Sequence, residues 1–123
     1  MYEMLIMLKP DATFSCDEMA TILRNVGQLS GKTVECLGTS VTLKSGDAYL
    51  QVDFSNAPHV IEESKEIAVA CDIPCHRCAV RFEMNGDDPD MDLFNDYLLV
   101  NERLDSTGNF FIFDPSEGKL FGR

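Results

Sequence analysis

A chain of 123 residues that is 45% hydrophobic is long enough to bury a core within one domain, and too apolar to be left disordered by its charge. Its formal net charge of −11 is uneven, with seven acids and four bases in residues 1–61 against fourteen acids and six bases in 62–123. Such a field repels nucleic acid and anionic membrane and draws basic partners, and no apolar run approaches the ~20 residues that span a bilayer.

The opening run Tyr2–Leu8 is almost continuously apolar, the pattern of a strand buried on both faces. It carries an acid at Glu3 and no basic stretch, so it reads as a strand rather than a secretion leader. Lys9-Pro10-Asp11 breaks it. Ser15 followed by Glu18 is a capping box, and Met19, Ile22, Leu23 and Val26 then recur at helical spacing until Gly27 and Gly31 end the helix. Thr33–Leu43 predicts one long strand bent at Gly38, and Lys44–Asp47 predicts a turn. In Ala48–Phe54 the residues Ala48, Leu50, Val52 and Phe54 alternate with Tyr49, Gln51 and Asp53, as in a strand with one buried face.

Pro58 opens a second helix in the first-turn position that needs no N–H. Its inward stripe is Val60, Ile61, Ser64, Ile67, Ala68 and Cys71, with His59, Glu62, Glu63 and Glu66 outward. A fourth strand is expected over Arg77–Met84, with Cys78, Val80, Phe82 and Met84 on one face. A third helix is expected from Asp88-Pro89 to about Leu104, followed by a hairpin of Asn109–Phe113 and Lys119–Phe121. The order β-α-β-β-α-β predicts an α+β fold with a ferredoxin-like core over 1–84, and a C-terminal helix and hairpin over 85–123 packed on it. The doubly apolar first strand predicts that the sheet face such a sandwich leaves open is covered, by the appendage or by a second subunit in a homodimer.

Several motifs invite chemistry. Cys71, Cys75 and Cys78 have the Cys-x3-Cys-x2-Cys spacing, which resembles the iron–sulfur loop of radical enzymes that use S-adenosylmethionine. Those enzymes need a barrel larger than this chain can form. A zinc site would need a fourth ligand, and His76 lies between two of the cysteines, so His59 or Cys36 would have to serve. Cys75-His76-Arg77-Cys78 precedes a strand, whereas redox pairs sit at a helix N-terminus. The cluster is therefore expected to be structural and metal-free, and no cofactor is expected. An odd count of five cysteines predicts reduced thiols and a cytoplasmic setting.

Gly27–Thr33 imitates a phosphate loop but has three residues between its glycines and runs from helix to strand. Asp88–Asp92 imitates a calcium loop but has Leu93 and Leu99 where Gly and Glu are required, and its acids are better used at a helix start. His59–Glu63 lacks the second histidine of a metallopeptidase helix. No catalytic set is assigned. The sequence is read as a non-enzymatic module that docks a basic protein, as an inhibitor, immunity-type or regulatory protein would. Its contact acids are Asp87, Asp88, Asp90, Asp92, Asp96, Glu62, Glu63 and Glu66. The alternative is a small-molecule binder or small enzyme with a pocket between the sheet and the C-terminal segment.

Overall fold

The computed structural model describes residues 2–9, 12–55, 57–72 and 81–121. Within them the chain forms β1 (Tyr2–Leu8), α1 (Cys16–Ser30), β2 (Thr33–Leu37), β3 (Ser40–Ser45), β4 (Ala48–Ser55), α2 (Pro58–Ala70), β5 (Arg81–Asp87), α3 (Phe94–Ser106), β6 (Phe110–Asp114) and β7 (Lys119–Phe121). The strands make one sheet in the order β2-β3-β4-β5-β1-β6-β7. Every neighbouring pair is antiparallel.

Alternation along each strand assigns the two faces. Tyr2, Met4 and Ile6 of β1 join Val41, Leu43, Leu50, Val52, Phe82, Met84, Phe110 and Ile112 on one face. Met19, Leu23 and Val26 of α1 and Val100 and Leu104 of α3 close over them to form the main core. Phe82 and Phe110 meet edge to face within it at 6.2 Å between ring centres, and each large side chain removed from water contributes roughly 1.5–3 kcal/mol. Met7 and Phe111 point the other way and are sealed by Ala68 of α2, with Ile67, Cys71, Phe113 and Leu120 around them. The helices thus sandwich the sheet, α1 and α3 on one side and α2 on the other.

This α+β architecture departs from the ferredoxin-like arrangement in two respects. The strand following α2 inserts between β4 and β1 instead of flanking β1 on its far side, and α2 crosses the opposite face from α1. The reason lies in what each face has left to bury. The β1 face toward α1 is already filled by α1 and α3, while Met7 and Phe111 need a cover. The narrow stripe Val60, Ser64 and Ala68 of α2, all buried, allows close approach to a sheet. The covering of the second face falls to α2, and it reaches only the end of the sheet around Met7. Glu3 at the other end of β1 is exposed and Leu5 is half-buried, so β1 is buried on both faces only in its second half.

The predicted strand 33–43 is a hairpin. Gly38 takes φ +60 and turns the chain through Gly38-Thr39, so that Thr33–Leu37 pairs with Ser40–Lys44. The next turn is the two residues Gly46-Asp47, with Gly46 also at φ +60. The α1 capping box is realised in both directions between Ser15 and Glu18. Gly31 provides the left-handed cap, whereas Gly27 lies inside the helix against Val34 and Leu43. Helix α3 begins at Phe94, later than Asp88-Pro89, because Asp88–Leu93 is spent on turns with Met91 at φ +58. Phe82 and Met84 share the core face as expected, while Cys78, Val80 and the rest of 77–80 lie outside the described residues.

Candidate functional site

The sheet face that α2 leaves uncovered is a broad surface of half-buried and exposed side chains. Cross-strand register lines its side chains up in rows. One row runs Glu35, Thr42, Gln51, Asn85, Glu3 across β2, β3, β4, β5 and β1. The row on one side of it runs Leu37, Ser40, Asp53, Glu83, Leu5, and the row on its other side holds Lys44, Tyr49 and Asp87. Five strands at roughly 4.8 Å spacing give a platform about 19 Å wide. All of these side chains are half-buried or exposed, and most are polar.

The platform is acidic, and its cations are already engaged. Lys44 pairs with Glu35 at 2.8 Å. Arg81, only 3% exposed at the edge of the α2 footprint, is held by Glu63 of α2 at 2.9 Å and by Glu83 beside it on β5. Asp53 accepts hydrogen bonds from the Ser40 hydroxyl and from Gln51 Nε2. Among the described residues no lysine or arginine pairs with Glu3, Asp53 or Asp87.

The eight acids marked from the sequence divide by burial. Asp87 is exposed at the rim of this platform, and Asp90 and Asp92 are exposed in the segment that leads from β5 to α3. Glu62 and Glu66 are exposed on α2, Glu62 lying 3.5 Å from Lys65. Glu63 is committed to Arg81. The six residue-to-residue steps from Arg81 to Asp87 put the α2 contact at Arg81 about 20 Å from the Asp87 rim, so the two acidic groups form separate patches.

Asp88 and Asp96, by contrast, are interior residues that serve the fold, and as contact acids they are corrected. Asp88 is 6% exposed. It accepts the Tyr2 hydroxyl at 2.5 Å and the backbone N–H groups of Leu93 at 2.8 Å and Asp92 at 2.9 Å. Burial pushes its carboxyl up. The Tyr2 hydroxyl, the two amides and the charge of Lys32 outweigh that and hold it below the usual carboxylate value. Burial, reinforced by Asp88, pushes the Tyr2 hydroxyl up. Asp96 is 4% exposed and bonds Lys32 Nζ at 2.8 Å, tying the start of α3 to the end of α1. Carboxylates so enclosed present almost no surface to a partner.

His59 is exposed at the first turn of α2, and Cys71 caps the far end of that helix against the second hydrophobic cluster. The helical residues 60–70 therefore separate them, at about 1.5 Å each. Cys75, His76 and Cys78 lie outside the described residues, among which no group of three His, Cys, Asp or Glu is placed to hold a metal. Cys36 faces α1, where Arg24 Nη2 lies 3.2 Å from its sulfur.

Glu3, Asp53, Asn85 and Glu83 were not marked by sequence reasoning. The alternation of β4 already put Gln51 and Asp53 on a polar face. Glu3 was hidden by the apolar run around it; Glu83 lay within the expected strand 77–84 on the face opposite Phe82 and Met84, and Asn85 lay beyond that strand's expected end, whereas β5 runs on to Asp87. A second feature lies on the opposite face, a cleft of about 450 Å3 between α3 and the β1–β6 part of the sheet. No helix among the described residues is long and apolar enough to cross a membrane. Compared with protein-family models, with curated proteins and with solved structures, the chain matches none.

Proposed function

We propose that this protein is a binding module that docks a basic protein on the uncovered acidic face of its sheet. The observation that carries the reading is the pair of polar rows centred on Glu3, Gln51, Asp53 and Asn85. They span five strands and are left bare by α2; Glu35 and Glu83 in them are paired with Lys44 and Arg81, while exposed Glu3 and half-buried Asp53 have no cation among the described residues. A flat antiparallel sheet stabilised from its other side can present such a surface without cost to its core. Asp87 extends it at one rim, and Asp90 and Asp92 follow in the segment that leads from β5 to α3. A carboxylate-rich platform suits a partner whose own site is built to hold anions, because opposed potentials speed encounter and fix register.

The test is affinity capture from the native source, using the wild-type chain and a Glu3→Gln/Asp87→Asn/Asp90→Asn variant. These three exposed carboxylates accept no hydrogen bond among the described residues. The expected result is a stoichiometric basic partner that is released between roughly 0.1 and 1 M salt, where the screening length falls from about 10 to about 3 Å. The variant should bind that partner with a lower association rate. Equal binding by the variant, or a captured partner that is itself acidic, would overturn the reading.

A further inference from the structure

We infer that the cleft between α3 and the β1–β6 part of the sheet binds an organic cation with an apolar body, such as an aryl- or alkyl-ammonium. It lies on the α3 face of the sheet, away from the acidic platform, so its case stands apart from the docking proposal. At about 450 Å3 it falls in the range of small-molecule sites, roughly 300–1,000 Å3.

The walls define the class of ligand. Met4 and Ile112 supply an apolar floor from adjacent strands, and Leu98 of α3, 48% exposed, stands at the mouth. Tyr97 also lines the space. Its ring is fixed by stacking on Tyr2 at 4.5 Å, so that wall is rigid. One turn along α3, Asn101 also lines the cleft, and its buried Oδ1 has no hydrogen-bond partner among the described residues. A buried acceptor without a donor is uncommon in a folded chain and asks for an N–H or O–H.

The charge at the rim selects which donor. Glu102 and Asp105 are exposed on α3, and Asp114 faces them from the end of β6. None of the three is paired with a lysine or arginine among the described residues. Lys119, opposite Asp114 in register, turns to Glu117 at 3.5 Å. Asp114 Oδ1 takes the Ser116 amide and hydroxyl at 2.9 and 2.7 Å. The negative field is felt inside the cleft. Burial, followed by Asp114, raises the Tyr97 hydroxyl above its ordinary value, with Asn101 opposing and Glu117 adding. An apolar slot with an unfilled acceptor and a ring of carboxylates is complementary to a hydrophobic cation. It is hostile to an anion of the same shape.

The experiment is an amide-resolved NMR titration of the full chain with three probes of like size: 2-phenylethylammonium, 2-phenylethanol and 3-phenylpropionate. The ammonium should give saturable shifts confined to residues 97–105 and 112–114. It should bind about tenfold more tightly than the alcohol, with the carboxylate weaker still; tenfold corresponds to about 1.4 kcal/mol. Glu102→Gln/Asp105→Asn, at exposed positions, should remove most of that preference while leaving the rest of the spectrum in place. Asn101→Leu should weaken the ammonium and leave a well-dispersed spectrum. The Glu3→Gln/Asp87→Asn/Asp90→Asn variant should bind the ammonium as wild type does. Equal affinity for ammonium and alcohol, no saturation by about 10 mM, or shifts that map to the platform instead would overturn the assignment.

Discussion

Asp88 is the residue on which the junction between β5 and α3 turns, and its removal has a calculable cost. Its two carboxylate oxygens accept three donors: the Tyr2 hydroxyl, the Leu93 amide and the Asp92 amide. Hydrogen bonds to a charged group contribute about 1.5–3 kcal/mol each, and neutral ones about 0.5–1.5. Asp88→Asn keeps one acceptor oxygen and loses the charge, partly offset by relief of the desolvation of a buried carboxylate. The expected net loss is about 2 kcal/mol. Asp88→Ala also strands the Tyr2 hydroxyl, 9% exposed under the Tyr97 ring, and the expected loss is about 4 kcal/mol. At about 3–5 °C per kcal/mol for a chain of this size, the alanine variant should melt more than about 10 °C lower.

The same carboxyl gives a pH signature. Its folded-state pKa is depressed, so the folded protein binds fewer protons than the unfolded chain near the ordinary carboxylate pKa. The stabilisation is complete above that unfolded value of about 3.9 and is lost as pH falls through the lower folded one. Urea unfolding followed by circular dichroism should show the gap between wild type and Asp88→Asn at pH 7 shrinking at about pH 3. A Tyr2→Phe/Asp88→Asn cycle should show a coupling of about 1–2 kcal/mol. An Asp88→Asn variant within about 0.5 kcal/mol of wild type at pH 7, or a gap that widens on acidification, would refute the reasoning.

Gly86→Ala should cost about 3 kcal/mol or more in urea unfolding, because the added Cβ would sit 2.5 Å from the Tyr49 carbonyl oxygen and force β4 from β5. Arg81→Met should cost about 1–3 kcal/mol, because it removes the cation and leaves Glu63 and Glu83 unpaired, a loss limited by the access of both carboxylates to water. Arg81→Ala should cost about 3 kcal/mol by leaving a void beneath α2. Cys71→Ala should cost about 1 kcal/mol of packing in the small cluster with Met7 and Phe111, measured by thermal melt. Protein purified without chelator should carry no stoichiometric zinc or iron by elemental analysis, and its melting temperature should not fall on chelation. A large fall would place a metal in the 71–78 segment.

The elements were legible where periodicity and caps agree. Ser15 with Glu18 fixed the start of α1, Pro58 the start of α2, and the alternation of Ala48–Phe54 both faces of β4. The topology was not legible. Nothing in the stripe of α2 says which face of the sheet it will cover; that depends on α1 and α3 having already filled one side. The hairpin at Gly38 was read as a bend because a glycine at positive φ and a glycine at a bulge look alike in a sequence. Asp88 and Asp96 look like their exposed neighbours Asp87, Asp90 and Asp92. Only tertiary contacts with Tyr2 and Lys32, far away in the chain, distinguish a buried acceptor from a surface charge.

That division bears on what the acidity is for. Acids such as Asp88, Asp96 and Glu63 hold elements together, each against a named donor. Their removal would reduce the net charge and unfold the junctions they serve. The carboxylates of Glu3, Asp87, Asp90, Glu102 and Asp105 touch no donor among the described residues and stabilise nothing in the fold. Like charges left on a surface repel each other and weaken the compact state slightly. A chain that carries −11 while using only part of it internally retains the remainder at a cost in stability. Two groups of unpaired acids sit in places of different shape, the polar sheet platform and the apolar cleft. A flat acidic surface fits a large basic partner and a narrow acidic-rimmed slot fits a small one. Neutralising Glu3, Asp87 and Asp90 should therefore stabilise the chain slightly while impairing only the platform, and neutralising Glu102 and Asp105 should do the same for the cleft.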